Sequence, residues 1–252
     1  MLDVPLPSAD SERGGPIDAH PAGTDLATTV VVQLAGQAPT KAGDHRRLLA
    51  LVGRLAGVDP ATITLHQVCP NCGQSGHGPL RVAFDTGPDA TPTVHVSLAR
   101  AGGRLALAVT AAGPVGIDLE SIAGLGRAPV ADVVFSDAEA RALAHLEPGA
   151  ATAAVAVVWT VKEAVLKAAG VGLRVDPRDL TVALPAVGTP AAGRSTDAPA
   201  AHSPVLAGWP DSPFPLERMH LLPLPASAGV VGTVAVVCAA RPVVAVLPVP
   251  PA

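Results

Sequence analysis

The sequence predicts a fold that mixes α-helices and β-strands, because several stretches follow the periodicity of one or the other. Residues 44–57 carry apolar side chains at helical spacing and end at a glycine, which is typical of an amphipathic helix. Residues 94–100 and 104–110 look like two strands, and the glycine pair between them indicates a hairpin. Residues 159–167 consist mainly of helix formers and contain no helix breaker.

The other elements are predicted from capping residues and local composition. Ser136 and Glu139 have the S-x-x-E spacing of a capping box, so a helix is expected from about 137 to 146. Residues 1–26 are rich in Pro, Asp, Ser and Gly without periodicity, which predicts a disordered tail. The remaining predictions are strands at 115–120, 179–184, 216–224 and 230–239, a flexible Pro- and Ala-rich insertion at 185–215, and a tail at 243–252.

Composition argues against several classes of protein. The chain has 252 residues, enough for a sizeable core, and its net charge of −4 argues against extensive nucleic-acid binding. Its three cysteines do not suggest a disulfide framework and agree with a reducing compartment. No apolar run approaches the roughly 18 residues of a membrane span, and the first residues lack the pattern of a secretory signal. We therefore expect a cytoplasmic protein without membrane contact.

Two carboxylates share one face of the strand predicted at 115–120. Alternation places Asp118 and Glu120 on the same side as Gly116, and Gly116 is expected to leave room for a ligand. Like charges this close destabilise a sheet unless something compensates them, and a divalent cation with oxygen ligands is the usual compensation. The sequence therefore favours a metal site, with a solvated edge strand as the alternative.

The helix predicted at 159–167 adds a carboxylate and an amine to this patch. Glu163 and Lys167 are four residues apart and share one helix face, where Glu163 can join the metal and Lys167 can face an anion. The chain has three lysines, Lys41, Lys162 and Lys167, and two of them lie in this helix. An ordinary surface ion pair worth roughly 0.2–0.5 kcal/mol is the alternative. Taken together, the two stretches favour a functional site.

With these motifs the chain resembles the Sfp-type 4'-phosphopantetheinyl transferases. Their signatures are a G-[IV]-D-x-E strand followed some forty residues later by a W-x-x-K-E-[AS]-x-x-K helix, and residues 116–120 and 159–167 match both in full. The resemblance covers roughly residues 40–184. It implies an α+β fold of two similar halves, 27–113 and 114–242, related by a pseudo-twofold axis with the active site in the cleft between them. It also suggests a monomer.

The resemblance implies that the chain transfers the phosphopantetheine arm of coenzyme A to a serine of an apo carrier protein and releases 3',5'-ADP. The carriers would be acyl or peptidyl carriers of polyketide, nonribosomal peptide or fatty acid synthesis. Asp118, Glu120 and Glu163 are then expected to bind Mg²⁺, and Lys167 the pyrophosphate. Glu163 is also the expected general base for the serine proton. Lys162 is a candidate phosphate contact, with a solvated lysine as the alternative.

On the coenzyme A side the sequence matches the family less closely. Arg46 is expected to contact the 3'-phosphate, but Leu98 stands where the family has a histidine and cannot donate a hydrogen bond. Ser97, Arg46 and Arg100 are therefore the candidates to hold that phosphate. Residues 76–79 partly match the family's adenine-side segment, and they contribute His77 and Pro79 to the predicted coenzyme A site.

Three functions from different classes remain possible at this point. The first is the transferase, and the second is a non-catalytic coenzyme A or carrier-binding module of the same fold. The third is a small interaction protein stabilised by zinc, since Cys69 and Cys72 have the spacing of half a zinc site. A single C-x-x-C is weak support, so free thiols are the favoured interpretation there. The candidates for further ligands are His66, His77 and Cys238.

Overall fold

A computed structural model describes residues 24–85, 93–125, 134–184, 203–224 and 229–247. These residues form four layers, in the order helix, sheet, sheet and helix. The arrangement fits the predicted α+β class, and the pseudo-twofold axis and the division into halves stay predictions. The tail predicted at 1–26 lies almost wholly outside the described residues.

The first sheet has four strands in the order β11, β1, β5, β4. The strand β1 pairs in parallel with β11 and antiparallel with β5, which in turn pairs antiparallel with β4. Successive valines of β1 pack into two different hydrophobic cores. Val31 faces the helix that covers this sheet, whereas Val30 and Val32 face the second sheet. The bounds are Thr29–Gly36 for β1, His95–Ala101 for β4, Arg104–Thr110 for β5 and Val243–Leu247 for β11.

The second sheet has three antiparallel strands in the order β6, β10, β9. One face packs on the first sheet through residues such as Ile117 and Val234, and the other face carries a long helix. Two smaller antiparallel pairs, β2 with β3 and β7 with β8, complete the strands that the structure describes. The bounds are Ile63–Val68 for β2, Ser75–Phe84 for β3, Val115–Ser121 for β6, Thr181–Ala183 for β7, Val205–Gly208 for β8, Met219–Pro223 for β9 and Val230–Val237 for β10.

The helices are α1 (Lys41–Ala56), α2 (Ile122–Leu125), α3 (Asp137–Leu143) and α4 (Pro148–Ala169) within the described ranges. Helix α1 begins three residues before the prediction because the Thr40 side chain accepts a hydrogen bond from the N–H of Gly43, and it ends as predicted at Gly57 with φ 69°. The capping box at Ser136 and Glu139 is confirmed, since both of its hydrogen bonds are present.

Helix α4 is much longer than its predicted core at 159–167, with 22 residues. By length and apolar composition it could cross a membrane, which corrects the expectation that no such stretch exists. In the structure it packs against β6 and β10, and its Val161 and Val165 are fully buried in one of the three hydrophobic cores. Packing inside the protein accounts for its apolar character.

Two predictions about the ends and loops of the chain are wrong in part, and one strand was missed. A strand, β1, lies where no element was predicted. Strand β8 falls inside the predicted insertion at 185–215 and pairs with β7, while residues 185–202 lie outside the described part of the chain. The predicted tail at 243–252 contributes β11, because its valines alternate and complete the edge of the first sheet.

Candidate functional site

The site lies where helix α4 packs against strand β6. A Cβ atom at Gly116 would lie 1.9 Å from the carbonyl oxygen of Ala164 and 2.6 Å from the N atom of Ala168. The space beside Gly116 is therefore filled by the helix backbone, and the prediction that it leaves room for a ligand is wrong. Its missing side chain instead allows the helix and the strand to approach closely.

This close approach brings Lys167 onto Asp118. The Nζ atom of Lys167 lies 2.6 Å from Oδ1 of Asp118 and donates to the carbonyl oxygen of Ile117 at 3.2 Å. Asp118 is buried, whereas 32% of the Lys167 side chain is exposed. The predicted juxtaposition of strand carboxylate and helix amine is present.

Glu120 lies on the same strand face, two residues further along, and meets another side chain of α4. The indole N–H of Trp159 donates a hydrogen bond of 2.9 Å to Oε1 of Glu120. Trp159, Glu163 and Lys167 are spaced by four residues, so they form one row along the helix opposite the strand. The sequence suggested only a core anchor for Trp159, and its contact with Glu120 was missed because it depends on helix–strand packing.

Burial and mutual repulsion disturb all three carboxyl groups. Burial raises the pKa of Asp118 to about 7, against the lowering effect of Lys167, and Glu163 and Glu120 raise it further. Burial also raises the pKa of Glu120, although the hydrogen bond from Trp159 opposes it, and it raises the pKa of Glu163 against the charge of Lys167. One lysine amine therefore compensates the three acids only partly.

The donor set fits a divalent cation. The Oδ2 atom of Asp118 is buried and has no hydrogen-bond partner among the described residues. An orphaned carboxylate oxygen next to two further acids is where a hard cation with oxygen ligands would bind. The oxygens of the three carboxylates do not all lie within 4.8 Å of one another, so side chains would have to turn for all three to share one ion.

Lys162 does not belong to this site, which corrects both of its predicted roles. Its side chain is fully buried, and its Nζ atom donates to the carbonyl oxygen of Val134 at 2.7 Å and to Oε2 of Glu139 at 2.5 Å. Glu139 also accepts hydrogen bonds from the N–H groups of Ser136 and Val182. Lys162 thus ties α4 to α3 and β7 and reaches neither phosphate nor solvent.

Two predicted contacts of the 3'-phosphate are engaged elsewhere. Ser97 is 6% exposed, and its Oγ atom accepts a hydrogen bond from the N–H of Ile117, which joins the two sheets. The Nε atom of Arg100 donates to the fully buried Asp44 at 2.6 Å. The sequence could not show either partner, because both contacts join segments far apart in the chain.

A cavity of about 510 Å³ lies between the start of α1 and the β2–β3 hairpin, and the other predicted coenzyme A contacts are close in sequence to residues that line it. Lys41, His45 and Gly76 line it, and Nζ of Lys41 donates to the carbonyl oxygen of Gly76. Arg46 is exposed on α1 next to His45, and the segment holding His77 and Pro79 follows Gly76 directly. The roles of Arg46, His77 and Pro79 stay predictions.

Acidic side chains beside a lysine amine are typical of proteins that handle phosphate groups together with a divalent cation. The comparisons with known proteins agree with this class. The sequence model of the 4'-phosphopantetheinyl transferase superfamily matches residues 114–208, which include β6 and α4 with all four side chains of the site. A search of the curated proteins finds no match. The family match supports phosphopantetheine transfer from coenzyme A in general, and it does not distinguish the Sfp type.

Proposed function

We propose that the chain is an Sfp-type transferase that moves the 4'-phosphopantetheine arm of coenzyme A to a serine of an apo acyl or peptidyl carrier protein. One observation carries the proposal: Asp118 is buried with an orphaned oxygen, beside Glu120 and Glu163 and in contact with Lys167. The match of residues 114–208 to the transferase superfamily supports it. A cytoplasmic location and a monomeric state belong to the same proposal.

The chain's own residues supply most of the required chemistry. In the reaction, the serine Oγ bonds to the phosphorus that carries pantetheine, and the bond from that phosphorus to the bridging oxygen breaks, releasing 3',5'-ADP. Glu163 accepts the proton of the serine, because a carboxylate at the edge of the site and next to Lys167 on the same helix face is well placed as a general base. Lys167 faces the pyrophosphate with the exposed part of its side chain and neutralises negative charge there.

Asp118, Glu120 and Glu163 would hold Mg²⁺, which would supply further positive charge for the pyrophosphate oxygens. The indole of Trp159 fixes the rotamer of Glu120 through its hydrogen bond, so this carboxylate is oriented before any ligand arrives.

A direct test incubates the full chain with coenzyme A, Mg²⁺ and a panel of apo carriers, then weighs each carrier by mass spectrometry. The expected result is one added phosphopantetheine arm on at least one carrier, and no addition when the acceptor serine is replaced by alanine. Glu163→Gln should remove the transfer, whereas Glu217→Gln, which changes an exposed glutamate outside the site, should not. A panel that stays unmodified would contradict the proposal.

One observation favours a second candidate, a non-catalytic carrier-binding module of the same fold. Ser97 is committed to Ile117, and Arg100 is left with its Nη2 atom free of protein partners among the described residues but its Nε atom bound to Asp44, so fewer groups can hold the 3'-phosphate than expected. Calorimetric titration together with the mass of the carrier separates the two functions, because a binding module would take up the apo carrier and leave it unmodified when coenzyme A is present. A transferase would bind both and leave the arm on the serine.

A further inference from the structure

The turn between β2 and β3 gathers three side chains that suit a soft metal ion. Cys69, Cys72 and His77 each offer a ligand atom, and these atoms all lie within 4.8 Å of one another. The Sγ atom of Cys72 is 3.2 Å from Nε2 of His77. Among the described residues, no other set of three histidine, cysteine, aspartate or glutamate side chains brings its ligand atoms within this distance of one another.

The backbone of the turn is shaped to hold these side chains together. The N–H of Gly73 donates to the carbonyl oxygen of Cys69 at 2.9 Å, and the N–H of Cys69 donates to the carbonyl oxygen of Gln74 at 3.0 Å. These hydrogen bonds close a loop that contains both cysteines. Gly73 has φ 70°, a left-handed conformation that favours glycine.

His77 reaches the cysteines from the other side of the turn because Gly78 lets the two strands approach. A Cβ atom at Gly78 would lie 2.8 Å from the Cα atom of Cys69 and 2.7 Å from the carbonyl oxygen of Val68. Gly78 also has φ 96°, so its conformation and its surroundings both exclude a side chain. His77, which directly precedes this glycine, is thereby brought beside the loop that holds Cys69 and Cys72.

We propose that Cys69, Cys72 and His77 bind one Zn²⁺ ion, with water as the fourth ligand. Two thiolates and an imidazole select zinc over the hard cations that carboxylates prefer. The backbone N–H groups of Cys72 and Asn71 form hydrogen bonds with the sulfur of Cys69. The site is on the solvent side of the hairpin, since Cys72 and His77 are exposed, and it shares no residue with the carboxylate site on β6.

The ion would act as a clamp on one wall of the neighbouring cavity. His77 follows Gly76, whose carbonyl oxygen accepts the hydrogen bond from Lys41 at the start of α1. Zinc bound to His77 would therefore also hold Gly76 in place, and with it the hydrogen bond that connects the hairpin to α1. This inference does not depend on the proposed transferase activity.

Metal analysis of the full chain tests the proposal. The chain is purified under reducing conditions, loaded with ZnCl₂ and passed through metal-free buffer, and zinc is then counted per chain. One equivalent is expected. Loading with Co²⁺ instead should give the intense near-ultraviolet absorption of cobalt–thiolate bonds. Hydrogen exchange of peptides spanning residues 69–78 should slow when zinc is added.

Four variants show which side chains hold the ion. Cys72→Ser and His77→Ala should each lose the zinc and the cobalt–thiolate absorption. His66→Ala, which changes an exposed histidine of the same hairpin, and Cys238→Ser, which changes a buried cysteine outside the cluster, should keep both. Circular dichroism confirms that each variant is folded.

Three outcomes would overturn the proposal. The first is zinc well below one equivalent without cobalt–thiolate absorption, and the second is retention of zinc by Cys72→Ser or His77→Ala. The third is loss of zinc in His66→Ala, because that would replace the three-residue site with a different one.

Discussion

The substitution Gly116→Ala should strongly destabilise the protein, because the new methyl group has no space. Its Cβ would lie 1.9 Å from the carbonyl oxygen of Ala164, where an ordinary contact begins at 3.4 Å, so helix α4 and strand β6 must separate by about 1.5 Å. The obstructing atoms are backbone and cannot turn aside. Overpacking of this kind costs about 3 kcal/mol, which would lower the Tm by roughly 6–12 °C.

Activity should fall as well in the molecules that remain folded. A shift of about 1 Å between reacting groups can lower a rate about a hundredfold, and here the shift would separate Lys167 from Asp118. Urea unfolding followed by circular dichroism gives the stability, and the mass of the carrier gives the activity. The matched control is Gly36→Ala on strand β1, where an added Cβ meets nothing within 4 Å. If both variants unfold at the wild-type urea midpoint, the close packing at Gly116 is refuted.

Three further predictions concern the charged groups. Asp118→Asn should abolish transfer. In the presence of a chelator, the free energy of unfolding of the wild type should fall as pH rises from about 4 to 7, because the folded state keeps a proton on Asp118 that the unfolded state has released. Lys162→Met should destabilise the protein by about 3 kcal/mol, since it leaves the buried carboxylate of Glu139 without its cation. Trp159→Phe should lower the rate about tenfold while the fold survives, because Glu120 loses a hydrogen bond to its charged group.

Each of these predictions has its own control. Asp118→Asn in chelator should show a flatter dependence of unfolding free energy on pH, and an unchanged slope would assign the effect to other groups. Arg178→Met, which removes the exposed partner of Asp176, should leave stability unchanged where Lys162→Met does not. A Trp159→Phe enzyme with the wild-type rate would mean that the orientation of Glu120 does not matter for transfer.

Local sequence was sufficient to predict the parts of the fold whose cause is local. Alternation along residues 115–120 predicted that Asp118 and Glu120 share one face of strand β6. Helical spacing predicted that Glu163 and Lys167 share one face of helix α4. Capping chemistry predicted the helix at Ser136 and the end of α1. These signals depend only on neighbours within about four residues.

The misassigned residues are those whose environment comes from distant segments. Gly116 was assigned to a ligand because periodicity cannot show that a helix backbone fills the space beside it. Lys162 is buried because it pairs with Glu139, and Ser97 is buried where it accepts a hydrogen bond from Ile117. A single sequence does not show which residues form these pairs. Short valine-rich strands such as β11 resemble loop or tail sequence until a partner strand is known.

The pairing of β11 with β1 has a consequence for how the chain is made. Residues 243–247 pair with β1, whereas the other three strands of this sheet lie between residues 29 and 110, so one side of β1 stays unpaired until residue 247 has been made. A nascent chain released early, or a fragment ending near residue 113, would carry β1 with unpaired backbone groups and a tendency to associate with other strands. Strand β1 therefore lacks the partner on this side until the residues up to 247 have been synthesised and have paired with it.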